Sequence, residues 1–164
     1  MRSTRTAFLG VIAALMIGSL PAAAPAQAQA SAAILDLMNT VRAKYHAPPL
    51  EWNNDLARAA TAYTKACKNK PSNADGRYGE SRWHSTNNNA GIRDAVNAWA
   101  GQASKYRFDN RYSSETGDFT QLVWKDSSRV GAGIAKCSTG TFVVARYTPP
   151  GNIPHRFAQN VLRP

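Results

Sequence analysis

The chain has 164 residues, of which 43% are hydrophobic and 18% are charged. This composition supports one packed core and excludes global disorder, while 2 cysteines are too few for a small scaffold held mainly by disulfides. The formal charge of +10 permits contacts with anionic surfaces. The basic residues are spread along the chain apart from a cluster at Lys65, Lys68 and Lys70, so they favour a generally cationic surface over a nucleic-acid interface.

Residues 1–30 have the pattern of a secretory signal peptide. Arg2 and Arg5 make the start basic, residues 7–20 form an uncharged apolar stretch, and an alanine-rich run follows Pro21. The alternative is a membrane anchor, but the apolar stretch is short for a span, which needs about 20 residues. The pattern therefore favours a cleaved leader.

Two runs, Ala26-Gln27-Ala28 and Ala28-Gln29-Ala30, have small residues at the spacing that precedes a signal-peptide cleavage site. We therefore predict a leader over residues 1–30 and a single domain over residues 31–164. Export of that domain predicts a protein that is secreted to the extracellular space.

The predicted domain begins with a helix. Ile34, Met38, Val41 and Tyr45 recur at steps of three and four residues, which places them on one helix face. The two prolines at 48–49 end this helix. The apolar face is either ordinary core packing or one wall of a slot for a lipid.

Two more helices are predicted before the middle of the chain ends. One begins at Asn53 or Asn54, which are suitable N-cap residues, and precedes a polar loop over residues 68–76. The other covers residues 92–106. The inward faces of these two helices are formed by Leu56, Ala59, Ala60, Tyr63 and Cys67, and by Ile92, Ala95, Val96, Trp99, Ala103 and Tyr106.

The remaining periodic segments indicate strands. Residues 78–85 form a short candidate strand, and residues 130–137 and 141–147 form a hairpin around a tight turn at 138–140. Helices in the first half and an antiparallel ribbon in the second predict an α+β fold.

The two cysteines, Cys67 and Cys137, can form a disulfide in an exported chain. Such a bridge closes a loop of about 70 residues and would stabilise the fold by roughly 4 kcal/mol in the chain-entropy account. Two buried thiols are the alternative.

Residue by residue, the sequence offers little catalytic chemistry. His46, His84 and His155 are not spaced as zinc ligands, and the chain has no Gly-x-Ser-x-Gly nucleophile motif, Walker loop or dinucleotide fingerprint. We therefore expect no catalytic residues, and a hydrolase remains a lesser alternative.

Two motifs carry a family resemblance. Residues 117–124 read Gly-Asp-Phe-Thr-Gln-Leu-Val-Trp and continue through Ser127 and Ser128 to Val-Gly at 130–131, and residues 147–152 read Tyr-Thr-Pro-Pro-Gly-Asn. In this order they closely resemble the paired signatures of the CAP superfamily. That superfamily includes cysteine-rich secretory proteins, antigen 5 and plant pathogenesis-related class 1 proteins.

Further matches extend the resemblance over nearly the whole predicted domain. Asn39 and Arg42 resemble the Asn-x-x-Arg of the family's first helix, and residues 49–52 its Pro-Leu-x-Trp. Tyr-Gly-Glu at 78–80 resembles its Gly-Glu-Asn element, and Trp99 its helix tryptophan. The resemblance implies a three-layer α-β-α sandwich with a central antiparallel sheet, and the C-terminal part is most similar to microbial and fungal members.

The resemblance also bears on the cysteines. Cys67 and Cys137 fall where one of the three family disulfides lies, and a second pair would occupy Ala132 and Ala145. Joint replacement of both halves of that second bridge supports the pairing of Cys67 with Cys137.

Many CAP proteins have a central cavity with two histidines and two glutamates that can hold a metal. By resemblance, only Glu80 of that set is present, because Gln102 and Asp118 replace a glutamate and a histidine, and residues 68–76 contain no histidine. Outside the set, Met38 and Ser81 also depart from the family pattern.

We expect a water-filled polar cavity and no cofactor. The alternative is a weak site for Mg²⁺ or Ca²⁺ on Glu80 and Asp118, since these cations prefer oxygen ligands.

The resemblance implies non-enzymatic binding of a sterol or fatty acid by a monomer. The alternative is an extracellular interaction or defence protein that acts through its cationic surface on a protein or membrane-surface partner. We expect no nucleic-acid partner.

Overall fold

The computed structural model describes residues 26–68, 70–72 and 75–164. Of the leader predicted over residues 1–30, residues 1–25 lie outside this part and residues 26–30 belong to the first helix. In the described part, the elements follow in the order α1 (Ala26–Lys44), β1 (Glu51–Trp52), α2 (Asn54–Thr64), β2 (Gly79–Ser85), α3 (Ile92–Gly101), a 3-10 helix (Gln102–Lys105), α4 (Gly117–Leu122), β3 (Arg129–Cys137), β4 (Gly140–Thr148) and α5 (Phe157–Asn160). None of the described helices is long and apolar enough to span a membrane.

The four strands form one sheet in the order β1-β3-β4-β2. β3 and β4 form the predicted hairpin, and β2 pairs antiparallel with β4. The long strands therefore form the predicted central antiparallel sheet, and the two-residue β1 adds a parallel edge to it through Glu51 opposite Arg129 and Trp52 opposite Val130. A strand of two residues is too short to show an alternating pattern, so the sequence did not reveal it.

Helices cover both faces of the sheet, which confirms the three-layer α-β-α architecture. α2 packs on β3 and β4, whereas α3 and α4 pack against β2 on the other side and α1 packs on α3 and α4. α2 lies unusually close to β3. A Cβ atom on Gly131 would be 2.2 Å from the backbone nitrogen of Ala57, and one on Gly133 would be 2.3 Å from that of Thr61. Both positions therefore require glycine.

The helix boundaries agree with the predictions where periodicity is strong. Asn53 caps α2, since its side chain accepts a hydrogen bond from the backbone N–H of Leu56. α3 and the 3-10 helix together cover residues 92–105. α2 ends at Thr64, before Cys67, whose φ of 54° is incompatible with a continuing helix. The short helices α4 and α5 were not predicted from periodicity.

Cys67 and Cys137 form the predicted disulfide. The bridge joins the segment after α2 to the last residue of β3, across a separation of 70 residues. The α2 layer is therefore covalently attached to the sheet.

The core lies between the sheet and the α1, α3 and α4 layer. Its largest apolar members are fully or almost fully buried: Met38, Val96, Trp99, Phe119, Leu122, Trp124, Tyr147 and Phe157.

Candidate functional site

Arg42 of α1, which matches the Asn-x-x-Arg pattern, is completely buried and serves the scaffold. Its guanidinium donates hydrogen bonds to the backbone carbonyls of Pro48, Leu122, Trp124 and Ser127 at 2.8–2.9 Å. Burial lowers the pKa of Arg42 from 12.5 to about 10, so the side chain stays charged at neutral pH. Four carbonyl dipoles, with no carboxylate among these partners, hold that charge.

The two signature motifs are hydrogen-bonded to each other. The Gln121 side chain accepts from the backbone N–H of Gly151 at 2.9 Å and donates to the Ser127 hydroxyl at 3.2 Å. The Asn152 amide donates to the carbonyl of Gly117 at 2.8 Å. These motif residues therefore build the junction between α4 and the chain that follows β4.

The candidate cavity starts from Glu80 on β2. In the sheet register Glu80 lies directly opposite Arg146 of β4, and strand alternation puts Arg82 on the same face as Glu80. The Glu80 carboxylate forms ion pairs with Arg146 Nε at 3.5 Å and with Arg82 Nε at 3.4 Å. The side chains of Glu80 and Arg146 are 10% and 7% exposed. Two arginine side chains therefore surround Glu80, the one residue of the family's set of two histidines and two glutamates that this chain retains.

Additional groups hold this ion-pair cluster in place. Ser72 donates to Glu80 from its backbone N–H, at 3.1 Å, and from its hydroxyl. The Arg146 guanidinium lies over the Tyr78 ring at 4.3 Å and the Tyr63 ring at 5.4 Å. Both of these cation–π contacts stabilise the charged guanidinium of Arg146.

Asp118 and Gln102 form a second cluster at the start of α4. Asp118 accepts from the Gln102 side-chain amide at 2.9 Å and from the backbone N–H of Arg82 at 3.1 Å. The carbonyl oxygen of Gln102 accepts from the backbone N–H of Phe119, which belongs to the first turn of α4. Burial raises the pKa of Asp118, and the two hydrogen bonds to its carboxylate oppose that rise.

The structure brings the predicted cavity residues together. Glu80 and Asp118 line one polar cleft of about 380 Å³, together with Arg82, Tyr112 and Asn152. Gln102 does not line this cleft itself, but its side-chain amide donates a hydrogen bond to Asp118, which does.

Sequence reasoning missed Arg82, Arg146 and Ser72. The cross-strand register of β2 and β4 would have identified Arg146, whereas Ser72 approaches from a loop without a pattern.

The cleft does not fit the family's metal. Guanidinium groups and Ser72 surround the Glu80 carboxylate, and N–H donors occupy both oxygens of Asp118. Within the described residues, no group of three or more histidine, cysteine, aspartate or glutamate side chains could hold a metal ion. A divalent cation would also be repelled by Arg82 and Arg146.

His84 is the histidine nearest to Glu80 in sequence, so it is the one to compare with Glu80 and Asp118 as a member of an acid–base site. It lies four residues along β2 from Glu80, which corresponds to about 13 Å. Its Nε2 atom is 3.0 Å from the Thr139 carbonyl, and its ring stacks on Phe142. His84 therefore belongs to the hairpin end of the sheet, away from the cleft.

A separate, largely apolar groove lies at the open edge of β3. β1 pairs with only the first two residues of β3, so the strand edge beyond Val130 faces a space between α1 and α2. Two adjoining hollows of about 870 Å³ and 300 Å³ occupy this space and share Ser31, Trp52, Thr61 and Ala132.

Of the apolar face predicted for the first helix, Ile34 lines the smaller hollow. Met38 is fully buried in the core, and Val41 and Tyr45 pack against the core cluster. Core packing therefore accounts for most of that face.

Residues 35–147 match the family model described as CAP, Cysteine-rich secretory protein family. The chain belongs to the CAP family. It is 34% identical over 141 residues to human Golgi-associated plant pathogenesis-related protein 1, covering 80% of this chain and 91% of the relative. It is 31% identical over 157 residues to pathogenesis-related protein 1 of Arabidopsis thaliana, covering 93% and 96%. The solved structure of Schistosoma mansoni venom allergen-like protein 4 superposes with a TM-score of 0.61 at 24% identity, covering 72% of this chain and 86% of the other.

Proposed function

We propose that this CAP protein binds a sterol or a fatty acid non-covalently in the extracellular space and does not catalyse a reaction. The observation that carries the proposal is the groove at the open edge of β3, whose larger hollow keeps its whole lining except Ala28 in a chain that begins at Ser31. Its lining is mainly apolar and includes the indole of Trp52. A ligand would gain about 0.8 kcal/mol of binding free energy for each methylene group that it buries there.

The arrangement of the polar cleft supports binding over catalysis. Glu80 is committed to Arg82 and Arg146, and Asp118 to Gln102 and the Arg82 backbone. A general base must be free to accept a proton from a substrate, and both carboxylates already accept from the protein. With His84 at the other end of β2, the cleft lacks the histidine that a hydrolase of this design would use.

The predicted leader supports an extracellular location. A location inside the secretory pathway is the competing possibility, because one relative is named as Golgi-associated. Detection of the processed chain in the culture medium of the producing cell would support secretion, and retention of all processed chain in cells would contradict it.

An interaction function has a separate basis at the loop before α4. Tyr112 is 59% exposed and lines a hollow of about 610 Å³. The charged residues of its lining are Lys105, Arg107, Arg111, Asp109 and Glu115, so basic side chains outnumber acidic ones by three to two. An exposed aromatic ring beside arginines is typical of protein-binding surfaces. If the lipid assay described below is negative, binding of a partner at this surface becomes the favoured function.

The test is direct lipid capture by the processed, oxidised protein. Labelled cholesterol derivative and labelled palmitate are incubated with it, with unlabelled competitor, and the assay is repeated with Mg²⁺, Ca²⁺ or a chelator. We expect saturable, competable binding that the cations and the chelator leave unchanged. Absence of binding by folded protein would overturn the proposed function, and metal-dependent binding would contradict the description of the cleft.

A further inference from the structure

We infer that the polar cleft of Glu80 and Asp118 binds one unit of a neutral saccharide, with a face of the sugar ring against Tyr112. This ligand is additional to the lipid of the proposed function, because a lipid in the groove at the edge of β3 would not occupy the cleft. Every residue that lines the cleft lies at or after Glu80, so removal of the predicted leader leaves its walls intact.

The charges around the cleft cancel. The Glu80 carboxylate forms ion pairs with Arg82 and Arg146, and Asp118 accepts hydrogen bonds from two uncharged donors. Two carboxylates and two guanidinium groups leave this region without net charge. A charged ligand would meet as much repulsion as attraction there, so a neutral polar ligand fits the cleft best.

Hydrogen-bonding groups surround the space, which has a volume of about 380 Å³. This size is within the range of about 300–1,000 Å³ that is usual for small-molecule sites. Among the described residues, the side chains that line it are all polar: Glu80, Arg82, Tyr112, Ser114, Asp118 and Asn152. A lipid chain would bury these groups without partners, whereas each sugar hydroxyl can donate and accept a hydrogen bond.

Several of the lining groups can bind a further partner. Each Asp118 oxygen accepts one hydrogen bond from the protein and has a second lone pair. The Asn152 amide uses one of its two N–H hydrogens to bind the carbonyl of Gly117. Within the described part of the chain, the hydroxyls of Tyr112 and Ser114 have no hydrogen-bond partner. The cleft therefore presents both donors and acceptors to the hydroxyls of a ligand.

Tyr112 supplies an aromatic surface at the rim of the cleft. Its side chain is 59% exposed, and its ring lies close to the backbone of Gly117, where a Cβ atom would be 3.0 Å from the ring atom Cε2. A β-linked glucose-type unit has equatorial hydroxyls, so its two faces present C–H groups that pack on an aromatic ring. Tyr112 also lines the neighbouring hollow of about 410 Å³, which contains Asn110 and His155, so further sugar units can continue past the ring.

The test measures binding of neutral cellohexaose and chitohexaose by calorimetry, with acidic oligogalacturonate as the charged comparison. The processed, oxidised protein is used at low and at high salt. We expect saturable binding of at least one neutral hexasaccharide with a Kd of about 1 mM or below, and no dependence of that Kd on salt. Binding of neither neutral probe, or of oligogalacturonate alone, would overturn the inference.

Substitutions of Tyr112 test the aromatic contact. Tyr112→Ala should weaken binding of the neutral probe about tenfold, and Tyr112→Phe by less than about threefold, because phenylalanine keeps the ring. Lys105→Ala is the matched control, since Lys105 is exposed on the cationic surface beside Tyr112 but lines neither the cleft nor the hollow of about 410 Å³. Equal losses in Tyr112→Ala and Lys105→Ala would contradict the assignment of the sugar to Tyr112.

Two further measurements locate the ligand if Tyr112→Ala does not fold. Gly117→Ala should move the tyrosine ring, because the added methyl group would be 3.0 Å from it, and we expect a loss of about threefold or more in affinity. In the unmodified sequence, adding cellohexaose or chitohexaose should shift the backbone amide resonances of Ser114 and Gly117 and leave those of Trp52 and Thr61 unchanged. Shifts at Trp52 and Thr61 alone would place the sugar in the groove and overturn the inference.

The outcomes separate this inference from the proposed function. Protein that binds palmitate or cholesterol but neither neutral hexasaccharide would keep the lipid-binding function and lose the saccharide site. Protein that binds a neutral hexasaccharide but no lipid would lose the proposed function and keep the saccharide site.

Discussion

Two almost completely buried arginines show how differently this chain treats a buried positive charge. Arg42 is surrounded by backbone carbonyls of Pro48 and of the first signature motif, and its role is to hold these chain segments together. Arg146 lies opposite Glu80 and over two tyrosine rings, and its charge is matched by a carboxylate. The first arrangement is part of the scaffold, while the second lies beside the polar cleft of Glu80 and Asp118.

The residues that match the CAP pattern and the residues that depart from it lie in different parts of the molecule. Residues that match the CAP pattern, such as Arg42, Gln121 and Asn152, have structural partners in the scaffold. Of the residues that depart from it, Asp118 lines the polar cleft and Gln102 is hydrogen-bonded to Asp118. A CAP sequence can therefore keep its fold while the content of the cleft changes.

The largest expected effect comes from breaking the Arg42 arrangement. Arg42→Met removes the donor from four carbonyls, and we expect a loss of about 3–5 kcal/mol in the free energy of unfolding. Arg42→Lys should recover only part of it, because an ammonium cannot reproduce the planar set of donors. Urea unfolding measures both, with Arg129→Lys, at an exposed position, as the control. A loss under about 1 kcal/mol for Arg42→Met would contradict the scaffold role.

A smaller effect should follow from removing Glu80. Glu80→Gln leaves the nearly buried Arg146 beside Arg82 without a carboxylate, so we expect a loss of about 2 kcal/mol in unfolding free energy. Arg146→Met in the same chain removes the repulsion, and the double variant should lose less than the sum of the singles. Strict additivity in this double-mutant cycle would show that the two side chains do not interact.

The smallest expected effect is a pH dependence from Asp118. Its pKa in the folded protein is above the ordinary 3.8, so its contribution to stability is greatest below pH 3.8 and is lost as the pH rises through the folded-state value. The unfolding free energy of wild-type protein relative to Asp118→Asn should therefore fall between acidic and neutral pH. A difference that rises with pH would mean that Gln102 and Arg82 outweigh burial.

The sequence predicted those parts of the fold whose pattern extends over several residues. The α1, α2 and α3 helices and the β3–β4 hairpin have clear periodicity or a cap such as Asn53, whereas β1 has two residues and carries no pattern.

The site was predicted in part. Glu80, Gln102 and Asp118 came from the family resemblance, but Arg146 depends on strand register and the groove depends on where β1 stops. Neither feature is local in sequence.

The glycines of β3 have a consequence for the walls of the groove. Gly131 and Gly133 bring α2 into direct backbone contact with β3, and the Cys67–Cys137 bridge prevents the end of α2 from moving away. The α2 wall of the groove is therefore fixed in both directions, and only the α1 wall can adjust to a wider occupant. If the groove binds a lipid as we propose, substitutions on α1, at positions such as Ile34, should change its width more than substitutions on α2 do.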